Sequence, residues 1–265
     1  FSAILLLIST YGYTMVVLGL LAGYISAKFT VKAALYSAAA LSFIGLIGRA
    51  LSPNYISFLL TGIIAAVAYP LAMAPVGSIS ESMFKERSHT VIGISVGLLF
   101  LGMAFGAFLG PSMFTGIGLE GTLWSTVILS FIALLWIAFG IKGYPVNYKG
   151  KSLHGSFKWG MLKNWYVGLS IASMSVMFGG IASTVLILHK IAVSQALAYG
   201  GFFGGLAFLG SALGAIILPP LFEQYKQFRL GLVTTAVLMF VFVAAVAIGL
   251  AYTTNILLIA TGFFF

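Results

Sequence analysis

Long apolar runs separated by short polar breaks make up nearly all of this sequence. Each run has the ~20 residues that an α-helix needs to cross the hydrocarbon core of a bilayer. The pattern predicts spans over residues 2–25, 33–51, 55–79, 90–114 and 121–141. After a polar stretch it predicts three more, over 164–188, 195–222 and 230–251, and a ninth run begins near residue 255. A chain of this kind is all-α and integral to a membrane, because a helix satisfies its own backbone hydrogen bonds where no water can.

The polar stretch, residues 142–163, divides the chain. It carries Lys142, Lys149, Lys151, Lys158 and Lys163 and no acidic residue. It reads as a basic linker between an N-terminal bundle of five spans (residues 1–141) and a C-terminal bundle (residues 164–265) holding three spans and the start of a fourth. The remaining Lys and Arg residues set the orientation. Lys28, Lys32, Lys85, Arg87, Lys226 and Arg229 fall on the linker's side, whereas Arg49 and Lys190 fall on the other. Cytoplasmic loops carry the excess of positive charge, so the linker is expected in the cytosol and the first span runs from outside to inside. Trp124 near an outer end, and Trp159 and Trp165 near the inner face, suit interfacial anchoring.

Composition agrees with lipid as the solvent. The 265 residues are 61% hydrophobic and 6% charged, against about 25% charged in a soluble domain. The formal charge of +9 does not point to nucleic acid, because the basic residues fall in loops between spans and not on one folded face. Cysteine is absent, which removes disulfide and thiolate chemistry. The chain starts without Met and stops within an apolar run, so both ends read as cut.

The two halves repeat each other weakly. The segment 23–29 corresponds to 219–225 (219 − 23 = 196), each closing a span and opening a short basic loop. Lys32, Leu35, Leu41 and Phe43 then match Arg229, Leu232, Leu238 and Phe240 (229 − 32 = 197). Ile56, Thr61 and Gly62 match Ile256, Thr261 and Gly262 (256 − 56 = 200). The drift falls in loops, where insertions cost little. Internal repeats of this kind belong to secondary transporters.

The fourth span carries Gly97, then Gly106, then Gly110-Pro111. This spacing resembles the antiporter motif in the fifth span of major facilitator superfamily (MFS) transporters, although Phe114 and Thr115 stand where the family has a glycine pair. Residues 23–32 resemble the family's loop between its second and third spans. Gly23, Ser26, Lys28 and Lys32 fit that loop, Ala27 replaces its acid and Thr30 its glycine, and Glu223 keeps the acid in the second-half copy. The end of the third span, Glu81 to Arg87, is also similar to the family. The resemblance implies an MFS-type bundle of two pseudo-symmetric halves, seen here from about the second span to the tenth and truncated at both ends. It implies a secondary carrier, exporter or antiporter, that moves a small solute by alternating access, with a coupling ion as a further partner and the plasma membrane as its location.

Candidate residues fall in three groups. Gly102, Gly106 and Gly110 recur every four residues and share a helix face, as do Gly93 and Gly97, and smooth faces let helices approach closely or rock. Pro111 is expected to kink or end its helix. Lys28, Lys32, Glu81, Arg87, Glu223 and Arg229 stand at cytosolic helix ends. They serve either orientation alone or, as the family implies, a cytosolic gate, with Glu223 its main residue. Tyr69 and Met73, together with Ser173 and Ser175, lie near the middle of spans that line the cavity in the family. Tyr11 and Thr14 add a weaker pair on one face of the first span. Each of these also fits ordinary helix packing.

Arg49, at an outer helix end, reads either as a snorkelling interfacial cation or as an attractor of anions. No carboxylate lies in the middle of any span, so proton coupling finds no buried acid here. His89, His154 and His189 lie far apart with no carboxylate at metal-ligand spacing, and no G-x-x-x-x-G-K-(S/T) loop is present for ATP. The sequence therefore calls for no cofactor, no metal and no enzyme activity. The alternative to a carrier is a membrane scaffold or sensor built on the same fold.

Overall fold

The computed structural model describes residues 2–143, 193–225, 228–252 and 255–264. The expected sixth span, the linker from residue 144 onward, and the candidates Ser173 and Ser175 lie outside the described residues. Eight α-helices follow in order: α1 (Ser2–Lys28), α2 (Val31–Ala50), α3 (Tyr55–Met73), α4 (Val76–Met83), α5 (Ser88–Gly140), α6 (Val193–Tyr225), α7 (Phe228–Tyr252) and α8 (Ile256–Phe264). Short 3-10 turns occupy Lys85–Arg87 and Ile141–Gly143. No strand occurs among the described residues.

Among the described residues, four stretches are long and apolar enough to cross a membrane: Val31–Ala50, Tyr55–Met83, Lys85–Gly140 and Tyr199–Tyr225. Their apolar residues surround each helix, as suits segments that face lipid as well as one another. Trp136 is 79% exposed and Phe240 is 74% exposed, positions that water would penalise and acyl chains would not.

Local chemistry sets the helix ends. Thr30 caps α2, its Oγ1 accepting from the Ala33 N–H at 3.0 Å. Asn54 caps α3 in the same way, accepting from the Ser57 N–H at 2.9 Å. Each cap satisfies a backbone donor that the first helical turn leaves free. The third expected span, 55–79, continues to Met83 as α3 and α4, with the hydrogen-bond ladder interrupted at Ala74-Pro75 while both residues keep right-handed helical dihedrals. Proline lacks the N–H that an unbroken helix would need there.

The fourth and fifth expected spans are the two limbs of α5, joined at Gly118. This glycine has φ 72° and ψ 178°, a region open to glycine and almost closed to other residues. Pro111 does not end its helix, which was one of the two effects expected of it. The first limb runs through it, because the lost N–H frees one carbonyl, Ala107 O, and that carbonyl finds another neighbour, described below.

The described chain forms two units, Phe1–Lys85 with Gly116–Phe157, and Glu86–Thr115 with Lys158–Phe265. In the first, α2 and α1 pack on α3. Small residues fill this core: Ala22, Ala38 and Ala68 are buried with Leu71, and Gly45 meets the backbone of Ala65 so closely that a Cβ would collide. Close approach of this kind drives helix association in lipid, where burial of apolar surface gains little. The second limb of α5 joins α2 through Tyr36, whose hydroxyl donates to Ala138 O at 3.1 Å. Phe43 and Phe131 (ring centroids 5.3 Å apart) and Ser42 and Ser130 (3.3 Å) add to this contact. In the second unit α8 packs on α6 and α7, with Phe203, Ile259 and Phe263 in the contact.

Candidate functional site

The first limb of α5 and α6 lie antiparallel within the second unit, and their contacts form a continuous seam. Thr90 meets Glu223, Gly93 meets Ala215 and Pro219, and Gly97 meets Ala212 and Ile216. Phe100 then stacks on Phe208 (6.4 Å between ring centroids), Phe108 meets Phe202 and Gly205, and Pro111 meets Gly201. Residue numbers rise on one helix as they fall on the other, which is the register of two oppositely directed helices.

Glycine and proline interlock at both ends of the seam. A Cβ on Gly201 would lie 2.5 Å from Pro111 Cγ and 2.7 Å from Ala107 O. Ala107 O is the carbonyl that residue 111 would bond if it had an N–H. A Cβ on Gly93 would collide with Ala215 O and lie 2.8 Å from Pro219 Cγ, and Ala215 O is likewise the carbonyl that Pro219 leaves free. Each orphaned carbonyl therefore faces a glycine Cα–H on the other helix, a weak hydrogen bond that only a missing side chain permits. The sequence carried a signal for this arrangement. Glycine precedes proline by the same interval in both helices (111 − 93 = 18; 219 − 201 = 18). Eighteen residues are five turns at 3.6 per turn, so glycine and proline share one face.

The glycines predicted from the antiporter-like spacing separate here. Gly97 lies in the seam. Five residues on, the helix has turned by about 140°, so Gly102, Gly106 and Gly110 face away from α6, and a Cβ on any of them would meet open space among the described residues.

At one end of the seam Glu223 accepts from the backbone N–H of Thr90 (3.1 Å) and from its hydroxyl (2.5 Å). The Thr90 N–H is one of the four donors that the start of α5 cannot satisfy itself. A carboxylate from α6 thus caps α5 and also meets the positive end of its dipole. Sequence reading singled out Glu223 but missed Thr90, since no local pattern joins residues 133 positions apart.

The other gate candidates stand in different surroundings. Lys28 is exposed, its Nζ 5.6 Å from the Tyr24 ring and 5.8 Å from that of Phe29. Lys32 sits 5.8 Å from the Tyr36 ring. Glu81 ends exposed on α4, Arg87 is exposed in the 3-10 turn before α5, and Arg229 begins α7. Of the pathway candidates, Tyr69 and Met73 are half-buried on α3. Thr14 is buried, but its hydroxyl donates back to Thr10 O (2.5 Å) and Tyr11 O (3.1 Å), so it is engaged within its own helix. Tyr11 is half-buried, with the Arg49 guanidinium 5.9 Å from its ring centroid. That arginine does not snorkel away from the bundle as one of its two readings held. It folds against α1 and α3.

No group of three or more His, Cys, Asp or Glu residues that would hold a metal occurs among the described residues. What the site offers is a helix seam with interlocking glycine and proline and a carboxylate cap at one end. No curated protein matches the chain. The family model of the Major Facilitator Superfamily matches residues 1–265, and the chain belongs to that superfamily of membrane transporters.

Proposed function

We propose that this chain is a secondary active carrier that moves a small solute by alternating access, as an exporter or antiporter, with its central linker in the cytosol of a plasma-membrane protein. The observation that carries this reading is the α5–α6 seam. The two helices come from opposite halves of the sequence, residues 1–141 and 164–265. Both pack within one compact unit, so the seam is where helices from the two sequence halves meet, the kind of contact a rocking carrier needs. Its glycines bring the two backbones close at Gly93, Gly97, Gly201 and Gly205, the small-residue contact that lets packed helices shift. A charged contact, Glu223 on Thr90, sits at the end that the Lys and Arg distribution assigns to the cytosol, where a closed inner gate is needed. Lys28, Lys32, Glu81, Arg87 and Arg229 at the same end would complete that gate, and Tyr69, Met73, Ser173, Ser175, Tyr11 and Thr14 would line the solute's path. Gly97 and Pro111 act in the seam, whereas Gly102, Gly106 and Gly110 lie on the face turned away from it.

The test is side-dependent access to one pathway position. The sequence contains no cysteine, so a Met73→Cys substitution in the full-length protein gives a single label within these residues. Alkylation by a membrane-impermeant thiol reagent from both sides of the membrane, shifted by one class of solute, is the expected result. Labelling from neither side, unchanged by sugars, organic anions or cationic compounds, would place Met73 in static packing and remove the carrier reading in favour of a scaffold or sensor.

A further inference from the structure

Arg49 is a half-buried cation of the first unit that pairs with no carboxylate among the described residues. It occupies the last turn of α2, the end remote from Lys32. Its Nε is sealed from solvent and donates to no acceptor. The guanidinium carbon stands 4.7 Å from the Phe58 ring centroid and 5.9 Å from that of Tyr11. A Cβ on Gly62 would fall 2.5 Å from Nη2 and 2.8 Å from Nε, so the group is pressed onto the α3 backbone at a position where a glycine makes the room. The sequence has four acidic residues, Glu81, Glu86, Glu120 and Glu223. Glu223 caps Thr90 and, with Glu86, belongs to the other unit. Glu81 follows the far end of α3, and Glu120 is exposed beside the Gly118 turn.

A guanidinium cannot shed its proton to escape burial. The aromatic rings offset part of the lost hydration through their faces, but they leave the sealed Nε–H without an acceptor, which is costly away from water. The planar donor fork matches a carboxylate in two parallel hydrogen bonds. We propose that Arg49, with Tyr11 and Phe58, forms an anion subsite for the carboxylate of a small organic acid with an apolar or aromatic body. One cation suits a single negative charge, and the two rings suit an apolar body. The proposal rests on the carrier reading, in which Tyr11 lies on the solute's path, and it names the substrate class of that path.

Binding can be measured without transport. The full-length protein in detergent is titrated calorimetrically with benzoate, with benzamide as its uncharged isostere, and with inorganic phosphate. Benzoate is expected to bind and benzamide not to. Arg49→Gln should lower benzoate affinity at least about tenfold, the loss of a charge-assisted hydrogen bond, and Arg49→Lys, which keeps the charge and loses the fork, should also weaken it. Equal binding of benzoate by R49Q and wild type, equal binding of benzamide, tighter binding of phosphate, or no binding of benzoate to the wild type would each overturn the proposal. If R49Q does not fold, as judged by size exclusion, R49K decides: wild-type affinity in that variant removes the carboxylate fork. Flux in liposomes separates the two readings. Benzoate bound through Arg49 but never moved would keep the subsite and sink the carrier, whereas transport of solutes with no benzoate binding would do the reverse.

Discussion

Pro219 of α6 packs its ring on Gly93 of α5, and five turns along the seam the pair recurs with the helices exchanged, Pro111 of α5 on Gly201 of α6. Each proline removes one backbone hydrogen bond from its own helix, and each glycine supplies the close approach that accommodates the freed carbonyl. The proline cost and the glycine gap are thus one device, used twice.

Substituting these glycines should separate the helices. A Cβ at Gly93 or Gly201 meets a carbonyl oxygen and a proline ring, and neither can swing aside. Gly93→Ala and Gly201→Ala are each expected to destabilise the protein by about 1–3 kcal/mol, as overpacking does. Gly106→Ala meets open space and should be neutral or stabilising by up to about 1 kcal/mol, from helix propensity alone. Unfolding of the full-length protein in mixed detergent micelles compares the three. An equal loss from G106A would mean that its face is covered and that the two glycine faces do not differ.

The turn inside α5 gives a second contrast. Gly118 holds φ 72° and ψ 178°, and an alanine there would bear strain of about 1–3 kcal/mol. Gly116, two residues earlier, has ordinary helical geometry and open space around it. Gly118→Ala should lower the unfolding midpoint and Gly116→Ala should not. Similar midpoints for both would show that the two limbs join in some other conformation.

Polar contacts between α2 and the second limb of α5 should matter little. Tyr36→Phe removes one neutral hydrogen bond, and Ser42→Ala removes a contact of 3.3 Å. In membrane helices such bonds average about 0.6 kcal/mol, and each variant is expected to lose less than about 1 kcal/mol in the same unfolding assay. A loss of several kcal/mol from Tyr36→Phe would assign that hydroxyl a role beyond packing.

The apolar runs made the fold legible because a bilayer allows few alternatives to a helix. Runs 33–51 and 195–222 became α2 and α6 to within a few residues, and the polar break between 114 and 121 became the Gly118 turn. The interruption at Ala74-Pro75 was hidden because residues 55–79 stay apolar across it, and hydropathy does not record a missing backbone hydrogen bond. The site was legible in residue types more than in partners. Glu223 stood out as an acid at a span end, yet Thr90 is invisible without the α5–α6 pairing. Spacing marked both the 102–106–110 glycines and the Gly93–Gly97 pair, and the seam uses the pair, against Gly201 and Gly205. Spacing tells which residues share a face, and only tertiary packing chooses the face that meets a neighbour.

The Glu223–Thr90 contact yields the sharpest prediction about motion. Glu223 accepts two hydrogen bonds from one residue, and bonds to a charged group contribute about 1.5–3 kcal/mol. If this contact holds the cytosolic end of the seam closed, its loss should shift the closed-to-open ratio at least about tenfold. Spin labels at Ile94 and Leu221, both exposed near that end, would report the separation as a distance distribution. Glu223→Ala is expected to move population to the longer distance, and Thr90→Val to do so partially, since the backbone N–H remains. In the double variant the effects should fall short of additive by about 0.5–3 kcal/mol, as for residues in direct contact. Glu223→Gln keeps an acceptor and loses the charge, so an intermediate shift would separate charge from geometry. A distribution unchanged in Glu223→Ala would leave the carboxylate as a passive helix cap and transfer the task of closing the gate to the basic residues around it.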